Sequence, residues 1–261
     1  MRKTPTALSI VLALAAASGA SAQTPSQAAK PTVVLVHGAF ADSSSWNGVI
    51  SRLERDGYRV IAAANPLRSV AGDAAAVATI LKSTTGPVVL VGHSYGGPVI
   101  TEAANSGANV KALVYVAGFL PETGESSLTL SGKFPGSTLG DALTPVPLTG
   151  GGVDFYIQPA KFHAQFAADL PAAQTRLMAA TQRPVTQAAL SEPSGQASWK
   201  RLPYYVIYGS DDRNIPAAVM AFMAQRAKAR KTIAVPGASH ALMVSHPGEV
   251  AALIEEAATA P

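Results

Sequence analysis

Val88-Val89-Leu90-Val91-Gly92-His93-Ser94-Tyr95-Gly96-Gly97-Pro98 is the stretch that decides the reading of this 261-residue chain. Four apolar residues form a buried strand that runs straight into a serine, with glycines two positions before and two after it. This is the strand–turn–helix setting of a nucleophile elbow. The turn is so tight that side chains at Gly92 and Gly96 would collide with neighbouring backbone. It pushes the Ser94 hydroxyl out at the top of a sheet. The helix that follows aims its unpaired N–H groups at whatever reacts there. Pro98 falls in the first turn of that helix, where a missing N–H costs nothing. A Gly-x-Ser-x-Gly run by itself also marks ordinary turns. The reading therefore requires an oxyanion donor upstream and an acid followed by a histidine downstream.

Upstream, Val33-Val34-Leu35-Val36 is a second short apolar strand, and His37-Gly38-Ala39-Phe40 follows it. A backbone N–H of Ala39 or Phe40 is expected to serve as an oxyanion donor beside that of Tyr95. His37 reads as a strand-end residue that holds its loop by hydrogen bonding, and His93 as a packing residue turned away from the serine. Downstream, Tyr204-Tyr205-Val206-Ile207-Tyr208 is β-branched and aromatic, hence a strand. It ends in Gly209-Ser210-Asp211-Asp212-Arg213-Asn214-Ile215-Pro216. Thr232–Val235 is the next short strand, and Pro236-Gly237-Ala238-Ser239-His240 is the loop after it. The chain order is Ser94, then Asp211 or Asp212, then His240. His246, beside Pro247 at the start of the last helix, reads as a capping or surface residue.

From about Pro31 to the C-terminus the chain resembles the α/β-hydrolase superfamily. Val36–Phe40, Gly92–Gly97 and Tyr115-Val116-Ala117-Gly118-Phe119-Leu120-Pro121 are closest to small bacterial hydrolases related to salicylate-ester esterases and hydroxynitrile lyases. In that group the acid is the aspartate of a Gly-x-x-Asp-x-x-Ile-Pro pattern. Gly209, Ile215 and Pro216 put Asp212 in that register. The resemblance implies an α/β fold with a mainly parallel sheet covered by helices on both faces. It also implies a small-molecule ester substrate, no cofactor, and a Ser94–His240–Asp212 triad.

The rest of the chain alternates accordingly. Trp46, Val49, Ile50 and Leu53 recur at helical spacing behind a cap near Asp42–Ser44. Tyr58–Ala63 and Ala112–Val116 read as strands. Val77, Ile80 and Leu81 mark a helix, as do Val219, Met220 and Met223, and Val250, Leu253 and Ile254. Such alternation argues a parallel sheet with both faces covered. The rhythm breaks between about Phe119 and Lys200. Leu120–Gly152 is rich in Gly, Pro, Ser and Thr and shows no strand period, and Pro159–Leu170 and Pro171–Ala180 read as short helices opened by proline. An insertion there is expected to cover the C-terminal ends of the strands as a lid over about residues 119–200. Its aromatics Phe134, Phe155, Tyr156, Phe162, Phe166 and Trp199 are candidate pocket walls. Phe40, Tyr95, Phe155 and Trp199 are the expected substrate contacts.

Composition fits one ordinary α/β domain, residues 23–261: 48% of residues are hydrophobic and 14% charged. Arg2 and Lys3, the apolar run Ala7–Ala17 and Ala20-Ser21-Ala22 read as a signal peptide cleaved after residue 22. That run is too short for a membrane anchor, which needs about 20 residues. An exported, periplasmic or secreted enzyme is expected. Without Arg2 and Lys3, 18 of the 20 basic residues face 16 acidic ones. No basic stripe suggests nucleic acid. There is no cysteine, and no histidine spacing suggests a metal. An aspartate would be wanted at position 94 in an epoxide or haloalkane hydrolase. A hydroxynitrile lyase would use Ser94 and His240 as acid–base groups, and the expected export and the lack of an evident pocket lysine favour the esterase instead. A non-catalytic binding protein on the same fold would have no need of all three triad residues.

Overall fold

Along each apolar strand, alternate side chains enter two different cores. Val33 and Leu35 join Val89, Val91, Val114 and Val116 on one face. Val34 and Val36 join Val88, Leu90, Leu113 and Tyr115 on the other. This is the two-residue period of a pleated strand with both faces covered. It explains why these strands read as unbroken apolar runs rather than alternating ones. The structure, a computed structural model, describes Met1 and residues 30–107 and 109–261. Apart from Met1, the leader expected at residues 1–22 lies outside the described residues.

In chain order the strands are β1 (Thr32–Val36), β2 (Val60–Ala63), β3 (Val88–His93), β4 (Val110–Val116), β5 (Leu143–Pro147), β6 (Val153–Ile157), β7 (Val185–Thr186), β8 (Tyr204–Gly209) and β9 (Lys231–Val235). Six of them form one sheet in the order β2-β1-β3-β4-β8-β9, all parallel. The chain starts in the middle and winds outward in both directions, so the C-terminal ends of β3, β8 and β9 open on one edge, where such sheets bind ligands. On the first face Trp46, Val49 and Leu53 pack with Val250, Leu253 and Ile254 of the final helix, Pro247–Thr259. On the second face Val70, Val77, Val99, Ile100, Val219, Met220 and Met223 do so from helices Val70–Ser83, Gly96–Ala103 and Ala217–Ala227. Burial of each such side chain contributes about 1.5–3 kcal/mol.

Between the neighbouring strands β4 and β8 lies the insertion. Its two proline-opened helices are present, at Pro159–Phe166 and Ala172–Thr181. The reading of Leu120–Gly152 as a stretch without strand period is corrected at Leu143–Pro147: β5 pairs with β6, and β6 with β7, in a three-stranded antiparallel sheet. Pro145 and Pro147 lie two apart on the edge strand β5, so both ring nitrogens face away from β6 and no ladder bond is lost. Among the described residues no helix is long and apolar enough to cross a membrane.

The elbow is tightly constrained by backbone. A Cβ on Gly92 would lie 2.5 Å from the Gly96 carbonyl oxygen, and a Cβ on Gly96 would lie 2.6 Å from that of Val36. Both obstacles are backbone and cannot swing aside. Gly96→Ala is therefore expected to lower the unfolding free energy by about 2 kcal/mol or more. Gly150→Ala, with nothing within 4 Å of its Cβ, should stay within about 0.5 kcal/mol of wild type. Urea unfolding of the two variants checks this.

Candidate active site

Ser94 follows the last residue of β3 with a φ of 53°, a left-handed conformation that a residue with a side chain rarely adopts. Its backbone is fixed on both sides. The Ser94 N–H donates to the Val116 carbonyl at 3.3 Å, and its own carbonyl accepts from the N–H groups of Gly97 (2.9 Å) and Phe119 (3.2 Å). The loop after β1 lies against this turn: a Cβ on Gly38 would come within 2.6 Å of the Ser94 Cβ.

Asp212 and His240 meet at the same edge, from the ends of β8 and β9. Asp212 Oδ2 is 2.7 Å from His240 Nδ1, and both side chains are buried. The other oxygen, Oδ1, accepts from the N–H groups of Asn214 (2.7 Å) and Ile215 (2.9 Å). A carboxylate held by two N–H donors and an imidazole N–H has its charge satisfied although it is out of water. With Nδ1 donating to Asp212, the lone pair of the neutral ring lies on Nε2. That atom is buried and has no hydrogen-bond partner among the described residues. Asp211 is exposed, and its carboxylate accepts from the Ser210 hydroxyl instead.

His93 holds the histidine loop. Its Nε2–H donates to the His240 carbonyl at 3.1 Å, and the two rings are 4.8 Å apart. Burial, and then the neighbouring His240, push its pKa well below the ordinary histidine value, so it stays neutral. Phe166, from the insertion, packs edge-on against His240 at 5.1 Å. His37 Nδ1 donates to the Gly38 carbonyl, and Nε2 accepts from the Asn65 N–H at 3.0 Å. Burial lowers its pKa as well. His246 precedes the last helix but makes no side-chain cap bond. It pairs with the Ser245 hydroxyl and lies 3.6 Å from Asp169.

Two expectations are corrected. The Phe40 N–H already donates to the Arg183 carbonyl at 2.9 Å and is not available as an oxyanion donor. The N–H groups of Ala39 and Tyr95 have no partner among the described residues. Trp199 does not reach the site. Its indole N–H donates to the Pro121 carbonyl and its ring packs on Tyr204. Ser94 instead opens on a cavity of about 430 Å³ whose walls include Phe40, Tyr95 and Phe155, together with Phe134, Leu128 and Leu139 of the insertion. Tyr156, Phe162 and Phe166 do not line it. Among the described residues no charged side chain lines it either. Among the described residues no group of three or more His, Cys, Asp and Glu side chains is placed to hold a metal.

One residue of consequence escaped the sequence reading. The Tyr95 hydroxyl donates to Asp73 Oδ2 at 2.9 Å, and both residues are 1% exposed. The bond ties the residue after Ser94 to helix Val70–Ser83. Its signal was an acid on the same helix face as Val70 and Val77. Burial raises the Asp73 pKa against the opposing effect of its hydrogen bonds. A carboxyl with a raised folded pKa binds its proton in the folded state first. It therefore adds stability as pH falls through the window between its raised and ordinary values, and that contribution is lost as pH rises. Asp73→Asn keeps an acceptor for Tyr95 but removes this titration. Its stability should fall more steeply than that of wild type as pH falls from neutral toward the ordinary carboxyl range, as read from urea midpoints.

The family model for the alpha/beta hydrolase family matches residues 33–253. The chain is 33% identical over 113 residues to a carbendazim hydrolyzing esterase of Nocardioides sp. (strain SG-4G), 38% of this chain and about half (47%) of that esterase. It is 26% identical over 259 residues to Alpha/beta hydrolase nvfD of Aspergillus novofumigatus (strain IBT 16806), 88% of this chain and 97% of that one. Among solved structures, polyneuridine aldehyde esterase superposes with a TM-score of 0.74 at 18% identity, covering 87% of this chain and 98% of that one. With the parallel six-stranded sheet and the elbow at the end of its third strand, these matches place the chain in the alpha/beta hydrolase family.

Proposed function

We propose that this protein is a serine esterase that cleaves small or aromatic carboxylic esters through an acyl-enzyme, with Ser94 as nucleophile, His240 as base and Asp212 as the acid that orients it. The observation that carries the reading is the buried Asp212–His240 pair, which leaves an unpaired Nε2 on the same sheet edge as Ser94. His240 takes the Ser94 proton through Nε2 as the hydroxyl oxygen attacks the ester carbonyl. Asp212 stabilises the imidazolium that forms. The free N–H groups of Ala39 and Tyr95 receive the developing oxyanion, and each such donor is worth about 3–4 kcal/mol in known cases. His240 then protonates the leaving alcohol, and water repeats the cycle on the acyl-enzyme.

The uncharged cavity suits a neutral substrate, since an ionised group buried there would lack a counter-charge. Among the described residues it also holds no lysine to stabilise a departing cyanide, which favours ester hydrolysis over a hydroxynitrile-lyase reaction. The insertion acts as the lid that keeps this cavity apolar. We also infer that the protein is exported, on the strength of Arg2, Lys3, the apolar run that follows and Ala20-Ser21-Ala22.

A panel of p-nitrophenyl and aryl methyl esters tests the chemistry. Ser94→Ala is expected to lower kcat by ~10³-fold or more with the fold intact. Asp212→Asn should lower kcat by up to ~10⁴-fold, the loss seen when a triad histidine is left in the wrong tautomer. Asp211→Asn should stay within about tenfold of wild type. Wild-type turnover in Ser94→Ala would remove the reading. For export, mass spectrometry of protein from the native host should find Gln23 at the N-terminus. An intact Met1 would contradict it.

A further inference from the structure

Ala39 and Ala41, two positions apart, line different cavities. Ala39 lies on the 430 Å³ cavity that holds Ser94. Ala41 lies on a second cavity, of about 380 Å³, between the loop after β1 and helix Ala172–Thr181. Phe40 is the one residue common to the two linings. The chain therefore passes through the wall between the cavities at Phe40.

We propose that Phe40 is the specificity-determining partition of this site and that the second cavity is a chamber it closes off, able to take an uncharged extension of the ester. The proposal rests on the esterase reading above. The wall is held rigidly. Phe40 is 3% exposed, its φ is 61°, and its N–H is bonded across to the Arg183 carbonyl of the insertion. A residue with a side chain keeps a left-handed φ only where its surroundings over-determine it. The second chamber is more polar than the first, with Ser44, Ser45, Asn47 and Thr181 in its lining, but it shares the mix of apolar and uncharged polar side chains. Met178, Val244 and the Gln174 and Gln182 amides contribute to it, and its one charged residue, Asp42, already accepts from the N–H and hydroxyl of Ser44. Its volume is close to that of the first, so opening the wall would nearly double the space within reach of Ser94. Phe40 also sits beside Ala39, whose N–H is the proposed oxyanion donor. The wall therefore stands next to the reacting carbonyl, where a steric limit acts on the transition state.

Phe40→Ala tests this with two ester series: p-nitrophenyl esters from acetate to octanoate, which lengthen the acyl group, and butyrate esters from methanol to octanol, which lengthen the alcohol. In one series the ratio of kcat/KM for the longest to the shortest member is expected to rise at least about tenfold, since even one accommodated methylene is worth about that much. The series that responds identifies which half of the ester meets the wall. Met178→Trp added to Phe40→Ala refills the chamber and should reverse the gain. Fluorophosphonate labelling of Ser94 reports whether the elbow survives. If Phe40→Ala does not fold, Phe40→Leu carries the same test with a gain of about threefold or more. Normal labelling with both length profiles unchanged would overturn the partition and leave the esterase reading standing. Loss of ester turnover in wild type, or its survival in Ser94→Ala, would overturn the esterase reading and the partition with it.

Discussion

The close approach of backbone to backbone at the end of β3 is the constraint on which the site depends. Gly92, Gly96 and Val36 meet at distances that leave no room for a Cβ at either glycine. Ser94 is left at a φ of 53° as a consequence. Strain of this kind costs about 1–3 kcal/mol and persists only where neighbouring structure enforces it. Here the enforcement comes from the centre of a parallel sheet whose two cores are filled by valine and leucine. A central strand buried on both faces cannot shift register to relieve its terminal turn without exposing apolar surface on both sides. The fold thus pays for turning one hydroxyl toward the cavity on a residue that is itself buried.

The charges near that hydroxyl are arranged by satisfaction and neutrality. Asp212 spends one oxygen on two backbone N–H groups and the other on His240. Its neighbour His93 is kept neutral by burial, so no second cation competes with an imidazolium on His240. The same His93 bonds the His240 carbonyl, which connects the residue before Ser94 to the loop that carries the base. Phe166 and the Arg183 carbonyl come from the insertion and hold His240 and Phe40 respectively. The insertion is thus part of the site's frame as well as its cover.

Much of this was legible in the sequence, for physical reasons that also mark where legibility stopped. The main sheet could be read because strands covered on both faces are unbroken apolar runs, and the elbow because only glycine fits its flanks. Spacing alone left Asp211 and Asp212 open; the resemblance to the family pattern at Gly209, Ile215 and Pro216 implied Asp212, and the structure puts Asp212 against His240. The small sheet was hidden because β5 carries two prolines and β7 has two residues. Trp199 and Phe155 looked alike in sequence, since an aromatic ring in an insertion packs a wall or a core by its tertiary surroundings alone. The capture of the Phe40 N–H by Arg183 and the bond from Tyr95 to Asp73 join distant segments by polar contacts that have no sequence period.

The central claim is that Ser94 is made nucleophilic by His240 within this frame. Reaction with a fluorophosphonate, followed by intact-mass and peptide analysis, tests it most directly, because it requires the activated hydroxyl and needs no knowledge of the substrate. The expected result is a single adduct on the Ser94 peptide in wild type that disappears in His240→Ala. An unmodified protein, an adduct on a different serine, or undiminished labelling in His240→Ala would contradict the account.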